Sequence, residues 1–366
     1  MTESQSSHRV PARGAVEAGR RLRLARLAAG LTQGQLAALG GVSRQAVAGT
    51  EAGSWSPSLG VALQFARALG TSVDQLFSSE QEPRQVSATP LGSGLPPGRA
   101  RLAVVWDRWV ALPLTGDRAM STGFTSASGR LVGAAEAQIW GSARSLIVAG
   151  CDPALPLLAA PVAAAREGWT VDWWACSSKE ALRLLDAGLI HAAAVHRPAG
   201  GGEEKGSVSN RARIGFASWA EGVLSRRSGR ADQPRSLEEL VGRNLRWVNR
   251  EAGSEARNLL DRELARLGVP GSTLDGYGSH AAGHLQVASA IASGTAEAGV
   301  ATEPAALAYG LHFLPLTEED CVFHVDRERL DTTELRLLLA ALGGPTIGRE
   351  LAAIAGYQTS ILGQEL

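Results

Sequence analysis

The sequence predicts a multidomain chain, an all-α helical domain followed by a longer α/β domain, on three observations. From Glu17 to Phe77 apolar residues recur at helical spacing, each run stopped by Gly or restarted by Ser, Thr or Pro. Residues 78–99, SSEQEPRQVSATPLGSGLPPGR, are rich in Pro, Ser and Gly and read as a linker. From residue 100 to 366, strand-like runs (RLAVVW, SLIVAG, WTVDWWAC, HAAAV, NLRWVN, AEAGVAT) alternate with helix-like ones (KEALRLLDAG, SEARNLLDRELARLG, HLQVASAIASG). That alternation predicts an α/β domain with a largely parallel sheet.

Composition bounds the function. The 366 residues are 45% hydrophobic and 20% charged, enough for a sizeable core. Lys+Arg and Asp+Glu stand at 36 each, so any contact with DNA must come from a local surface rather than a whole-chain field. Three widely spaced cysteines, Cys151, Cys176 and Cys321, with no CxxC or Cys/His ligand spacing, lead us to expect neither a disulfide scaffold nor a Cys-based zinc site and fit a reducing cytoplasm. The first twenty residues lack the apolar core of a secretory signal, which predicts a cytoplasmic location. The apolar stretch from Leu146 to Ala165 is long enough to span a bilayer, but Asp152, Pro153, Pro156 and Pro161 interrupt it. A buried strand running into a Pro-started helix accommodates them, so no membrane partner is predicted.

The helical domain carries a helix-turn-helix pattern in TQGQLAALGGVSRQAVAGTEAG, from Thr32 to Gly53. Thr32 is a natural N-cap, Leu36 and Ala37 face inward, Gly40-Gly41 turns, Val42 plugs the core and Ser43 caps the second helix. Such a second helix lies in the major groove, which sets Arg44 and Gln45 at base edges, with Ala48 and Gly49 a turn later and Gln33 towards a phosphate. Arg suits guanine and Gln suits adenine by paired hydrogen bonds. Arg20, Arg21, Arg23 and Arg26 are either a solvated face or phosphate contacts. From Gly19 to Phe77 the chain resembles the XRE family of lambda-repressor-like domains. The likeness rests on the Thr-Gln start, Val-Ser-Arg-Gln, Glu-Ala-Gly, Ser-Pro-Ser and the Leu-Gly-Thr-Ser-Val-Asp-Gln-Leu-Phe close. It implies binding to double-stranded operator DNA by a homodimer, with Ser43 among the DNA-contacting residues.

In the α/β domain three strand-to-helix junctions end in small polar groups, where helix N-termini offer free amides to a ligand. They are Cys151-Asp152 after LIVAG, Ser177-Ser178 after WWAC, and Asn249-Arg250 leading to Gly253-Ser254. As caps alone, Asp152 and Ser178 have an ordinary structural explanation. His280 and His284, as lone histidines, fit surface or core roles as well as ligand contact. The tryptophan pairs 173–174 and 106–109 suit either an interface or the core.

Roughly from Ser142 to Gly356, the segments GCDPALPLL, CSSKEALRLLDAGLIHAAAVH, WVNREAGSEARNLLDRELARLG and HLQVASAIASGTAEAGVATEPAALAYGLHFLPLTEED resemble the type II periplasmic binding protein fold. They are similar in particular to molybdate-binding-protein-like domains fused to helix-turn-helix regulators. The resemblance implies two α/β lobes joined by crossover strands, with a ligand cleft between them; no cofactor or metal is predicted. Asp152, Ser178, Asn249, Arg250, Ser254, Tyr277 and His284 lie on the matched segments and are the implied ligand-binding residues. Glu255 and Ala256 depart from the expected Gly-Thr at the third helix, which leaves an oxyanion such as molybdate or tungstate and a small organic molecule as alternatives. Without GxSxG, HExxH or a P-loop, no catalytic residue is predicted and the chain is not read as an enzyme. The prediction is a ligand-responsive, dimeric, one-component transcription regulator.

Overall fold

The computed structural model describes residues 13–77, 83–94, 96–116, 118, 126–141, 143–200, 210–227, 229 and 233–366. They fall into two compact units, Met1–Arg84 and Gln85–Leu366.

The first unit holds helices α1 (Arg13–Ala28), α2 (Gln33–Gly40), α3 (Arg44–Glu51), α4 (Leu59–Ala68) and α5 (Val73–Phe77). Its boundaries are set by caps. Thr32 Oγ1 accepts from Gln35 N while Gln35 Oε1 accepts from Thr32 N, a reciprocal box that starts α2. Gly41 takes the left-handed conformation, φ +63°, that ends it, and Ser43 Oγ then accepts from Ala46 N to start α3. Each helix places one large side chain in a shared core: Leu22, Leu36, Val47, Phe65 and Leu76. Burying each stabilises the unit by about 1.5–3 kcal/mol. Gly40 makes this packing possible, since a Cβ there would lie 2.4 Å from the Phe65 ring.

The second unit opens with a small sheet of β1 (Arg84–Ser87), β2 (Thr89–Pro90), β3 (Gly98–Val105), β4 (Arg108–Pro113), β5 (Gly129–Leu131) and β6 (Glu136–Ile139), in the order β1-β6-β5-β3-β4-β2. This corrects the linker expected over 78–99: of its described residues, 84–87, 89–90 and 98–99 are strand. Small residues hid these strands, because Ala88 and Leu91 are buried between polar neighbours that only sheet pairing accommodates. Strand alternation gives the sheet two buried faces. Ala103, Val105, Val110 and Leu112 join Ile147, Ala149 and Trp174 in one cluster, while Ala100, Leu102, Ala111 and Leu131 form another. Residues 100–140 thus belong, where described, to the second unit's own packing.

The main chain path then lays down β7 (Ser145–Gly150), α6 (Ala159–Ala165), β8 (Thr170–Ala175), α7 (Ser178–Asp186), β9 (Ala192–Pro198) and the 15-residue β10 (Arg211–Ser225). It continues through α8 (Leu237–Gly242), β11 (Asn249–Arg250), α9 (Glu255–Arg266), β12 (His280–Ala281), α10 (His284–Ser293), β13 (Ala298–Thr302), α11 (Glu303–Ala308) and the 15-residue β14 (His312–Asp326). Helices α12 (Thr333–Gly343) and α13 (Pro345–Ala353) close it. The helix expected to start at Pro153 begins instead as a short 3₁₀ turn, Leu155–Leu158, that runs into α6. Among the described residues no helix is long and apolar enough to cross a membrane.

The large sheet runs β13-β10-β14-β9-β7-β8. It is mixed, which corrects the largely parallel expectation. β8, β7 and β9 are parallel, but β9–β14, β14–β10 and β10–β13 are antiparallel. The reason is architectural: the chain passes from a first lobe to a second along β10 and returns along β14, so the two must oppose each other. Two sets of cores flank this crossing. Ala212, Ile214, Phe216, Phe323 and Val325 pack with β7, α6 and α12 on one side. Val223, Ala298 and Val300 pack with Leu237, Leu259 and Leu264 on the other. The Gly-rich, polar segment RPAGGGEEKGSVSNRAR, residues 197–213, reads from its sequence as a mobile loop; β9 and β10 extend into its two ends, and 201–209 lie outside the described residues. The C-terminal segment lies along β10, with Gly215 N donating to Gln364 O and Ser218 N to Gln358 O.

Candidate functional site

In the helical unit, Arg44 and Gln45 are exposed on the first turn of α3, directly after the Ser43 cap. Ala48 is half-buried. Two of the predicted contacts are otherwise engaged. Gly49 packs on the following turn, its carbonyl accepting from Ser54 N and Trp55 N, and a Cβ there would meet the Trp55 Cβ at 3.1 Å. Gln33 Nε2 donates to Glu51 Oε2 at 2.8 Å, so its amide braces α2 against α3 rather than reaching freely outward. Arg26 departs from both readings of the arginine face. It is buried, with Nε and Nη2 on Glu51 at 2.5 and 3.1 Å and Nη1 on Leu31 O at 2.7 Å.

In the second unit, β7, β8, β9 and the crossover strands bring a set of buried polar groups together between the lobes. Cys151 and Asp152 follow β7, Ser177 and Ser178 begin α7, and His196 lies on β9. Glu221 and Glu319 come from β10 and β14, where Trp219 is paired with Glu319 and Glu221 with Thr317. The second lobe supplies Asn249-Arg250 on β11, Ser254 as the cap of α9 and His284 as the first residue of α10. Cys151, Ser177, Ser178, His196, Arg250, Ser254, Glu255, Ala256 and His284 line a cavity of about 10 Å³, the space of one water-sized species.

Each group's bonds define what it offers. Ser177 is the cap of α7, whereas Ser178 Oγ accepts from His196 N at 3.1 Å. Asp152 Oδ1 accepts from Ala154 N at 2.6 Å, and both its oxygens accept from the Tyr357 hydroxyl at 2.9 and 3.1 Å. Arg250 places Nε and Nη2 on Glu251, both at 2.9 Å, and leaves Nη1 buried without a hydrogen bond. Asn249 Oδ1 accepts from Arg250 N, and Ser254 Oγ accepts from Arg257 N. Cys151 Sγ lies 3.4 Å from His196 Nε2. His196 Nδ1 is 3.5 Å from Glu319, and His284 Nδ1 is 3.7 Å from Glu221. The two imidazoles stack at 5.7 Å and 11°, and Trp219 sits edge-on to His196 at 4.8 Å. Both ring nitrogens of His284 and both oxygens of Glu221 are buried without a hydrogen bond.

Burial and charge set the protonation pattern. Burial pushes Glu221 well above the ordinary carboxylate range, and the Glu319 charge beside it adds to this. Burial also pushes Glu319 up, but its bond to His196 and the imidazole charge outweigh this and hold it low. His196 is raised well above its usual value against burial, through Cys151 and Glu319. His284 is driven well below by burial, with Arg250 and His196 repelling its charged form. These directions favour the charged forms of His196 and Glu319 and the neutral forms of His284 and Glu221. Such a cluster can bind a small polar species or a metal ion.

Of the predicted ligand residues, Ser178, Arg250, Ser254 and His284 line this cavity, whereas Asp152 and Asn249, next in sequence to its residues Cys151 and Arg250, bond respectively to Tyr357 and Ala154 and to Tyr277 O and Arg250 N. Tyr277 does not line it either: its hydroxyl donates to Asp261 at 2.6 Å, and it lines a separate groove of about 370 Å³ with Val269 and Gly271. His280 is exposed on β12. Trp174 packs in the core and Trp106 packs against it. Sequence reasoning missed His196, Glu221, Glu319 and Tyr357. An acid within the apolar run GFASWAEGVL and one within LPLTEEDCVF were the available signals, since a buried charge demands a partner.

The chain matches the family model described as "PBP superfamily domain" over residues 159–343 and that described as "Helix-turn-helix domain" over 17–76. It is 34% identical over 128 residues to the uncharacterized protein YvgK of Bacillus subtilis (strain 168), covering 34% of this chain and 40% of that protein. Among solved structures, it is similar to the restriction-modification controller protein C.AhdI from Aeromonas hydrophila, at 43% identity over 17% of this chain and 96% of that one, with a TM-score of 0.17. An ABC-type phosphate transport receptor from Vibrio cholerae matches at 12% identity, over 58% of this chain and 98% of that one, with a TM-score of 0.41.

Proposed function

Since the chain belongs to the family described as the PBP superfamily domain and carries a helix-turn-helix DNA-binding domain ahead of it, we propose that it is a ligand-responsive, one-component transcription regulator. The regulator acts in the cytoplasm as a homodimer and is not an enzyme. One observation carries the reading. Arg250 Nη1 and both ring nitrogens of His284 from the second lobe, and Glu319 Oε2 and both Glu221 oxygens from the crossover strands, are buried beside His196 of the first lobe without hydrogen bonds. Buried polar groups without partners destabilise a fold, each by about 1–3 kcal/mol, and a ligand that supplies the missing partners favours the closed arrangement of the lobes.

The ligand is small and polar. An oxyanion such as molybdate or tungstate would use Arg250 Nη1 and the amides at the starts of α7 and α9. A small organic molecule would use the same donors. The carboxylate of Glu319 opposes a doubly charged oxyanion.

The test has two arms. DNA recovered from a random library by the full-length protein defines the preferred sequence, and replacing Arg44 and Gln45 with Ala should abolish that preference without unfolding the protein. A thermal-shift screen with molybdate, tungstate, sulfate, phosphate and small metabolites identifies the ligand, since binding to the folded state raises Tm by mass action. DNA affinity unchanged at saturating ligand would refute the switch. A shift with none of them would leave the second unit as an assembly module.

A further inference from the structure

We propose that the interlobe cavity is a transition-metal site in which Cys151, His196 and His284 are the ligands, so that the species sensed is, or is held by, a thiophilic divalent ion such as zinc. The inference rests on the reading of this cleft as the ligand site and names the chemistry of what it takes.

The donor set is the first argument. One thiol and two imidazoles offer ligand atoms that all lie within 4.8 Å of one another. Zinc bonds of about 2.3 Å to sulfur and about 2.0–2.1 Å to nitrogen make the S···N edge of a tetrahedron about 3.5 Å. Cys151 Sγ and His196 Nε2 are 3.4 Å apart. Closing the widest pair to a tetrahedral edge takes about 1.5 Å of movement shared among three side chains.

The orientation of the rings is the second. Imidazoles that bind metal turn their other nitrogen to a carboxylate or carbonyl, which fixes the ring and strengthens the donor. Both histidines face a buried carboxylate in this way, His196 Nδ1 towards Glu319 at 3.5 Å and His284 Nδ1 towards Glu221 at 3.7 Å. His284 is 2% exposed, yet neither ring nitrogen has a hydrogen bond, so a polar ring is desolvated with both nitrogens unused. That is a cost a structural histidine avoids and a ligand histidine recovers on coordination.

The lining of the cavity explains the remaining position. Three protein donors leave one tetrahedral site open. Arg250, whose charge is shared with Glu251, and the first residues of α7 and α9 line the same cavity and suit a water or an anionic oxygen there. Cys151 and His196 belong to the first lobe and His284 to the second, so one ion would tie the lobes together.

Full-length protein stripped with a chelator under reducing conditions provides the test. Equilibrium dialysis with zinc should give one tight ion per chain, and cobalt(II) in its place should show a thiolate-to-metal charge-transfer absorption. Cys151→Ser should remove that absorption, Cys151→Ser and His284→Gln should each weaken zinc binding at least 100-fold, and Cys176→Ser should keep both properties. If Cys151→Ser fails to fold, the cobalt spectrum of the wild type still decides: no thiolate absorption overturns the site. Stoichiometric binding retained by both Cys151→Ser and His284→Gln overturns it as well. The thermal-shift panel of oxyanions and metabolites is repeated in chelator. A shift there without metal binding overturns the metal and leaves the cleft as a ligand site, whereas no shift with metal or panel overturns both.

Discussion

Replacing Glu51 with Ala should unfold the DNA-binding unit while leaving the second unit intact. Glu51 is the sole carboxylate on Arg26 among the described residues, and the two side chains are 5% and 8% exposed. The truncation leaves a guanidinium charge in a protein interior and strips Gln33 of its acceptor as well. Removing one partner of a buried pair costs about 3–5 kcal/mol. A unit of this size is stable by only about 3–10 kcal/mol, so the loss consumes much or all of it. Hydrogen exchange read by mass spectrometry separates the units within the intact chain. Protection of peptides spanning α1 to α3 should fall by roughly two to three and a half orders of magnitude, the equivalent of that energy, with β7 and β10 unchanged. A fall of less than tenfold would refute the claim that this pair braces the bundle. The same pair predicts a pH dependence. Burial pushes the Glu51 carboxyl up, but the hydrogen bonds from Arg26 and Gln33 and the Arg26 charge outweigh it and hold the folded value low. The stabilisation is therefore complete above the unfolded carboxylate value of about 4.3 and is lost as pH falls through the lower folded value. Urea unfolding should show the wild type losing stability over that window and Glu51→Ala losing less.

Two further outcomes follow from the second unit. Tyr357→Phe removes the donor to both Asp152 oxygens, leaving Oδ2 without a partner, and should cost about 1–3 kcal/mol in urea unfolding. A loss under about 0.5 kcal/mol would mean that Asp152 is not sustained by the C-terminal segment. Gly215→Ala would set a Cβ 2.0 Å from the Ile361 carbonyl, a backbone atom that cannot swing aside. Overpacking of about 1–3 kcal/mol should lower Tm by about 2–12 °C and deprotect residues 357–366 first, and an unchanged Tm would show that the segment is loosely held.

What was legible in the sequence is what is local. Thr32, Ser43 and Gly41 act within four residues of themselves, so the helix starts and the turn between α2 and α3 could be read directly. The same holds for Ser254 and for the strands ending at Gly150 and Ala175. The crossover strands were accessible only as an implication of family resemblance. The centre of β14, Glu318-Glu319-Asp320, breaks the apolar pattern of a buried strand, because its charges answer to groups brought from elsewhere in the chain. Ser218 Oγ, for example, donates to Asp320 across 102 residues of sequence. The site was half visible for the same reason. Asp152, Ser178, Arg250 and His284 sit at strand ends or helix starts and announce themselves, whereas Glu221, Glu319 and Tyr357 acquire meaning only once β10, β14 and the C-terminal segment lie side by side. Gln33 and Gly49, assigned outward by motif geometry, also make contacts within the bundle that the motif does not reveal.

The placement of Glu221 and Glu319 gives the crossing strands a second role. They are the rails on which one lobe is carried relative to the other, and each bears a carboxylate at mid-span, next to the irregularity between Glu221 and Gly222. A Cβ at Gly222 would lie 2.1 Å from the Leu314 carbonyl, so the rails run as close as backbones can at that point. On the proposed function, whatever alters the charge between the lobes acts on the fulcrum itself, and occupancy and lobe angle become one mechanical variable.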